Sequence, residues 1–160
     1  MSLKTNRRDF LKTFGVATVC ACTGMAGMNA CSMIRGVSQT PVIPEGTYAL
    51  EGNLLTFDLE MIDCLQETGG SGKLSLMHEG DEVKLLIIHH ESGSFKAFSD
   101  RCTHAGRELN YQHGEEKIQC SSFGKATYGL NGRVKKGPAE GPLAIYPAVL
   151  KENQLIINIS

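Results

Sequence analysis

The sequence predicts an all-β domain. Three observations lead there. Short segments that alternate or run apolar recur through residues 54–160, from Leu54-Leu55-Thr56-Phe57 to Leu155–Ile159. Turn-forming residues separate them. Beyond residue 31 no stretch carries apolar side chains at the 3.6-residue spacing of a long helix. Many short strands at even spacing imply a small sandwich or barrel.

Taken in order, residues 32–53 hold Pro41, Pro44 and three glycines and read as a tether or linker leading into the domain. Leu54–Phe57 and Lys73–Met77 are short candidate strands, separated by a flexible loop at Glu67-Thr68-Gly69-Gly70-Ser71-Gly72. Glu82–Glu91 is a strand with the apolar centre Leu85-Leu86-Ile87-Ile88. A hairpin turn at Glu91–Ser94 returns the chain into Phe95–Phe98, which alternates with period two. Lys117–Cys120 and Thr127–Leu130 are further short strands. Asn131-Gly132 is a type I′ hairpin signal leading into Arg133-Val134-Lys135. Leu143–Leu150 and Leu155–Ile159 close the pattern, with Glu152-Asn153 turning between them. No internal repeat is present.

Length and charge exclude some functions. The 160 residues suit one domain plus a leader. Residues 1–31 carry +3, from Lys4, Arg7, Arg8 and Lys12 against Asp9, and the whole chain carries −1, which leaves −4 for residues 32–160. A mildly acidic domain without a basic stripe does not suit nucleic acid, because neutralising phosphates needs clustered Lys and Arg. No serine triad, P-loop or dinucleotide fingerprint occurs.

The residues that carry chemistry are few. Cys102-Thr103-His104 is a chelating pair, and Cys120 follows one hairpin later. The last histidine is His113, so no imidazole lies beyond Cys120. His89-His90 end the apolar strand. Adjacent strand residues face opposite sides and cannot share a metal, so they read as two rim histidines. His113 precedes Gly114 in the hairpin between the two cysteine loops, at its far end. His78, beside Glu79-Gly80-Asp81, reads as a solvated turn, Lys135-Lys136 as an exposed face, and Cys64 as a lone core thiol.

Together these segments resemble the Rieske [2Fe–2S] family over about residues 73–159. Cys102-Thr103-His104-Ala105-Gly106 follows the strand Phe95–Phe98, where the family's first cluster loop belongs. Cys120-Ser121-Ser122 follows Lys117–Gln119, where the second belongs. Lys136-Gly137-Pro138-Ala139 leads into Pro142-Leu143 and Tyr146-Pro147, as the segment after loop two does in the family. The resemblance implies a Rieske-type base sandwich over 54–160, with a loop-rich cluster-binding subdomain at about residues 100–140. It also implies a [2Fe–2S] cluster, with Cys102 and Cys120 on one iron and His104 on the other. By count, the fourth ligand place falls on Phe123, Gly124 or Lys125, and none is an imidazole. Three outcomes stay open. Ser121, Ser122 or water completes a labile centre, whose potential would leave the range of roughly −150 to +300 mV expected with two histidines. Cys102, His104 and Cys120 hold a single zinc or iron with one open position. Or the site is empty, its two thiols free to close into a disulfide, with Phe123 plugging the volume of the missing ring. Respiratory members of the family carry a disulfide where Arg107 and Ser122 stand here. In those subunits the loop-two histidine touches the quinol, so quinol oxidation of that kind is not expected. The implied function is a one-electron carrier or redox subunit that works with partner proteins. The alternative is a cluster-free interaction or structural module.

The N-terminus has its own resemblance. Thr5-Asn6-Arg7-Arg8-Asp9-Phe10-Leu11-Lys12 is similar to the twin-arginine export motif. The apolar run behind it, Phe14–Cys22, is shorter than the ~20 residues of a membrane span. Val19-Cys20-Ala21-Cys22 is similar to a lipobox with Cys22 as the lipidated residue, and Met28-Asn29-Ala30-Cys31 is a second, poorer candidate. This implies export to the periplasmic side, with anchoring to the membrane through the leader or a lipid. The pathway carries folded proteins, which suits a cofactor loaded before export.

Overall fold

The computed structural model describes residues 40–160. The leader, with its twin-arginine segment and Cys22, lies outside the described residues. Within them twelve strands pair antiparallel into three four-stranded sheets. The first sheet has the order β1-β2-β12-β11, from Tyr48–Glu51, Leu54–Asp58, Gln154–Asn158 and Ala148–Lys151. The second has β10-β5-β4-β3, from Ile145–Tyr146, Ser94–Ser99, Asp81–Glu91 and Ser71–His78. The third has β6-β7-β8-β9, from Leu109–Gln112, Lys117–Cys120, Thr127–Gly129 and Val134–Lys136. Three single 3-10 turns, Leu59–Met61, Asp63–Leu65 and His113–Glu115, are the described helical residues.

The apolar run in β4 explains how the layers meet. Side chains alternate faces along a strand. Leu85 and Ile87 enter one core, with Leu55, Phe57, Leu74, Leu155 and Ile157. Leu86 and Ile88 enter the other, with Phe98, Leu109, Ile118 and Tyr128. A strand buried on both faces must be apolar at every position, so its central residues show no alternation. Its neighbour β5 divides likewise, Ala97 to the first core and Phe98 to the second. Burying each such side chain fully is worth about 1.5–3 kcal/mol. The second core contains Cys102 and Cys120, so the packing that holds the third sheet also holds the two thiols.

Four local expectations are corrected. The tether does not run to residue 53: Ile43 is buried in the first core, and its N–H donates to Lys73 O at 2.8 Å. Tyr48–Glu51 is a strand whose Tyr48 ring lies 5.7 Å from Phe57. The glycine-rich stretch is not a free loop. Gly69 N–H donates to His89 O at 2.7 Å, and Ser71 and Gly72 already pair with Ile88 and Ile87. Leu143–Leu150 is two strands in different sheets, β10 and β11, divided at Pro147, whose missing N–H cannot serve a ladder. The hairpin after β8 forms, but not as type I′, which needs φ > 0 at both central residues. Gly132 alone of the Asn-Gly pair is left-handed (φ +73°), and its N–H closes a turn onto Gly129 O at 2.9 Å.

His89 also departs from expectation. It is buried rather than at the rim, stacks on Phe95 with ring centroids 4.4 Å apart, and its Nδ1 lies 2.9 Å from Leu65 O.

Candidate metal centre

Two loops meet at one end of the third sheet. Loop one, residues 100–108, joins β5 to β6. Loop two, residues 121–126, joins β7 to β8. They are tied together where Ser121 N–H donates to Glu108 O at 2.9 Å. Cys102, His104 and Cys120 converge there, with their ligand atoms all within 4.8 Å of one another. Both thiols are buried and unbridged, and His104 is half-buried.

Loop one is braced from several directions. Cys102 N–H donates to Arg107 O (2.8 Å) and Gly106 N–H to Cys102 O (2.7 Å), closing the chelating segment on itself. Asp100 spans the loop's base: its Oδ1 accepts Leu109 N–H at 2.6 Å. Lys73 lies 3.6 Å from Asp100 and 3.0 Å from Glu108. Asp100 is only 3 % exposed, and burial pushes its carboxyl up to about 6, against the pull of the Leu109 amide and Lys73.

Tyr128, fully buried, extends its hydroxyl from β8 to within 3.1 Å of Cys102 Sγ. The same oxygen accepts Thr103 N–H at 3.2 Å and lies 3.1 Å from Thr103 Oγ1, which donates to Gly141 O at 2.9 Å. The Thr103 hydroxyl proton is engaged at Gly141, so the Tyr128 proton is free to serve Cys102. His104 Nδ1 lies 3.0 Å from the same sulfur. Burial raises the Cys102 thiol, but Tyr128, His104 and Cys120 outweigh it and bring it down to about 7. Cys120 goes the other way: burial raises it beyond what Ser122 pulls back. A metal takes thiolates and neutral imidazole, so binding would release the protons still held here.

Loop two is a single tight turn. Cys120 N–H donates to Ala126 O at 2.8 Å and Lys125 N–H to Ser122 O at 3.0 Å, which leaves Phe123 and Gly124 at the tip. Lys125 takes a left-handed φ of +44°, which a residue with a Cβ adopts only at some cost. Gly137 lies over the turn so closely that an added Cβ would meet Ala126 Cα at 2.7 Å.

The sequence candidates for the fourth place now separate. Phe123 has a relative exposure of 104 %, so it plugs nothing, and that expectation is corrected. Gly124, Lys125 and Ser121 are exposed too. Ser122 is half-buried, its N–H points at Cys120 Sγ (3.4 Å), and its hydroxyl oxygen is buried without a hydrogen-bond partner. His113 sits in the 3-10 turn at the opposite end of β6 and β7, beside Tyr111. Sequence reasoning missed the bracing of loop one by Asp100, Lys73 and Glu108. It also missed the reach of the Tyr128 hydroxyl to Cys102 Sγ.

The Rieske [2Fe-2S] domain matches residues 66–147, just over half of the chain. The chain belongs to the Rieske [2Fe–2S] domain family. Such domains bind a [2Fe–2S] cluster, and Cys102, His104 and Cys120 form a group that could hold a metal. The chain is 28 % identical over 91 residues to the cytochrome b6-f complex iron-sulfur subunit of Chlorobaculum tepidum, covering 57 % of this chain and 48 % of that protein. It is 27 % identical over 77 residues to the 3-phenylpropionate/cinnamic acid dioxygenase ferredoxin subunit of Photorhabdus laumondii, covering 47 % and 73 %. Among solved structures, the plasma membrane Rieske protein of Synechocystis matches at 25 % identity and a TM-score of 0.46, covering 54 % and 86 %. The match spans about half the length of the b6-f subunit.

The donors present fit three of the four protein ligands of such a cluster. The hydroxyl of Ser122, two residues after Cys120, is buried and has no hydrogen-bond partner.

Proposed function

We propose that this protein is an exported one-electron carrier, or the redox subunit of a larger complex, whose [2Fe–2S] cluster is held by Cys102 and Cys120 on one iron and by His104 on the other. One observation carries the reading: two thiols and an imidazole converge from neighbouring hairpins, with the Tyr128 hydroxyl and the Ser122 amide aimed at the two sulfurs. Hydrogen bonds onto ligand sulfurs stabilise thiolate and favour the reduced state of an iron–sulfur centre. When bound, the cluster supplies a site that takes up and gives back one electron.

The chain's own residues do the rest. Cys102 and Cys120 sit in the second core and limit water at the sulfur side, while half-buried His104 faces the loop surface. An electron would enter and leave through that edge, where partner proteins can approach. The names of the relatives, subunits of the cytochrome b6-f complex and of a dioxygenase, support partner proteins as donor and acceptor.

The periplasmic placement rests on Arg7-Arg8-Asp9-Phe10-Leu11-Lys12, and the tether on the apolar run behind it or on a lipid at Cys22. No helix of the described residues is long and apolar enough to cross a membrane.

The test is iron and acid-labile sulfide analysis on protein purified without air, with paramagnetic resonance after dithionite. About two irons and two sulfides per chain are expected. A colourless protein that stays so after anaerobic reconstitution contradicts the reading, and one zinc or iron per chain replaces it with a single-metal site.

A further inference from the structure

Loop two repeats the spacing of loop one, with a hydroxyl residue where loop one has a histidine. In loop one the second donor stands two residues after the cysteine: His104 turns back so that Nδ1 lies 3.0 Å from Cys102 Sγ. Two residues after Cys120 stands Ser122. Its amide lies 3.4 Å from Cys120 Sγ, which holds the residue against the site. Yet the hydroxyl oxygen is buried and has no hydrogen-bond partner of its own. Proteins rarely bury a hydroxyl and leave it unpaired, because its lost hydration is then uncompensated. The other candidates are engaged elsewhere or turned away. Ser121 is exposed and its amide serves Glu108 O, while Phe123, Gly124 and Lys125 form the exposed side of the turn.

We propose that Ser122 Oγ is the fourth protein ligand, sharing the second iron with His104. The ligand set is then Cys102 and Cys120 on one iron, His104 and Ser122 on the other. This rests on the reading that the chain holds a [2Fe–2S] cluster. Ser122 Oγ takes the place of a water on the iron. The displaced water and the hydroxyl proton leave to solvent, and no electron moves. An anionic oxygen is a harder donor than imidazole and adds negative charge, so it favours the oxidised state.

The experiment compares the full chain, purified without air, with Ser122→Ala, Ser122→Cys and Ser121→Ala. It reads iron and sulfide per chain, the rate of iron loss to a chelator, and the g values of the reduced protein. Wild type and Ser121→Ala should behave alike. Ser122→Ala should lose iron at least several-fold faster with altered g values, and Ser122→Cys should keep its iron with g values displaced toward thiolate ligation. Thermal melting of the apo-proteins separates a ligand effect from misfolding, since the apo melting points should agree. If wild type holds two irons and Ser122→Ala matches it in iron, chelator rate and g values, water fills the place and this inference alone is overturned. If wild type itself holds no cluster, the proposed function fails, and this assignment with it.

Discussion

Loop one and loop two face each other across the same site but are built differently. Loop one carries two donors, and buried groups brace it: Asp100 across its base, Lys73 beneath, Tyr128 and Thr103 along its side. Loop two follows one cysteine, Cys120 at the end of β7, and is a four-residue turn with Phe123, Gly124 and Lys125 exposed. Loop one is therefore a preformed half-site, while in the proposed ligand set the second half depends on how a short turn orients Ser122. Any lability of the centre belongs to loop two.

The contrast breaks most completely at His104. His104→Ala removes the only imidazole at the site and should reduce bound iron by at least tenfold, read by iron analysis on anaerobic protein. Iron content equal to wild type would show that loop one is not the anchoring half.

Tyr128→Phe should have the next largest effect. It withdraws the hydroxyl from Cys102 Sγ and leaves the Thr103 amide without its acceptor. A buried unpaired donor costs about 1–3 kcal/mol, so chemical denaturation should show a loss of that order. Voltammetry should show a lower reduction potential, because one hydrogen bond to a ligand sulfur is gone.

Asp100 tests the brace through pH. Its carboxyl rises from 3.8 to about 6 on folding, chiefly through burial. A group whose folded value is raised contributes stability below its unfolded value and loses it as pH rises through the folded one. The wild-type melting temperature should therefore lose this contribution between about pH 4 and pH 6. Asp100→Asn cannot ionise, so its deficit relative to wild type should shrink as pH rises across that window. A deficit that grows instead would mean that pairing with Lys73 outweighs burial.

The smallest effect belongs to Phe123. As the ring is fully exposed, Phe123→Ala should change stability by less than about 0.5 kcal/mol and leave iron content unchanged. A larger loss would restore it as a packed plug.

Much of the fold was legible in the sequence because strand signals are local. Leu85–Ile88 marked the apolar centre of a strand, and Phe95–Phe98 its hairpin partner. The chelating spacing of Cys102 and His104 was legible for the same reason. Less was legible where distant segments decide the outcome. Tyr48–Glu51 is a strand only because Leu54–Asp58 lies beside it, and the break at Pro147 is a change of sheet. Lys73 reaches Asp100 and Glu108 across many intervening residues, a pairing no spacing rule announces. In loop two, counting along the chain pointed to positions 123–125. The turn closed by Lys125 N–H onto Ser122 O sends those residues outward and leaves Ser122 facing in.

Mössbauer spectroscopy of the anaerobically purified, iron-57-enriched protein measures both halves of the site at once. Two inequivalent irons in equal amount are predicted, one in a sulfur-only environment and one with nitrogen and oxygen donors. A single mononuclear iron, two equivalent irons, or no iron would contradict the account.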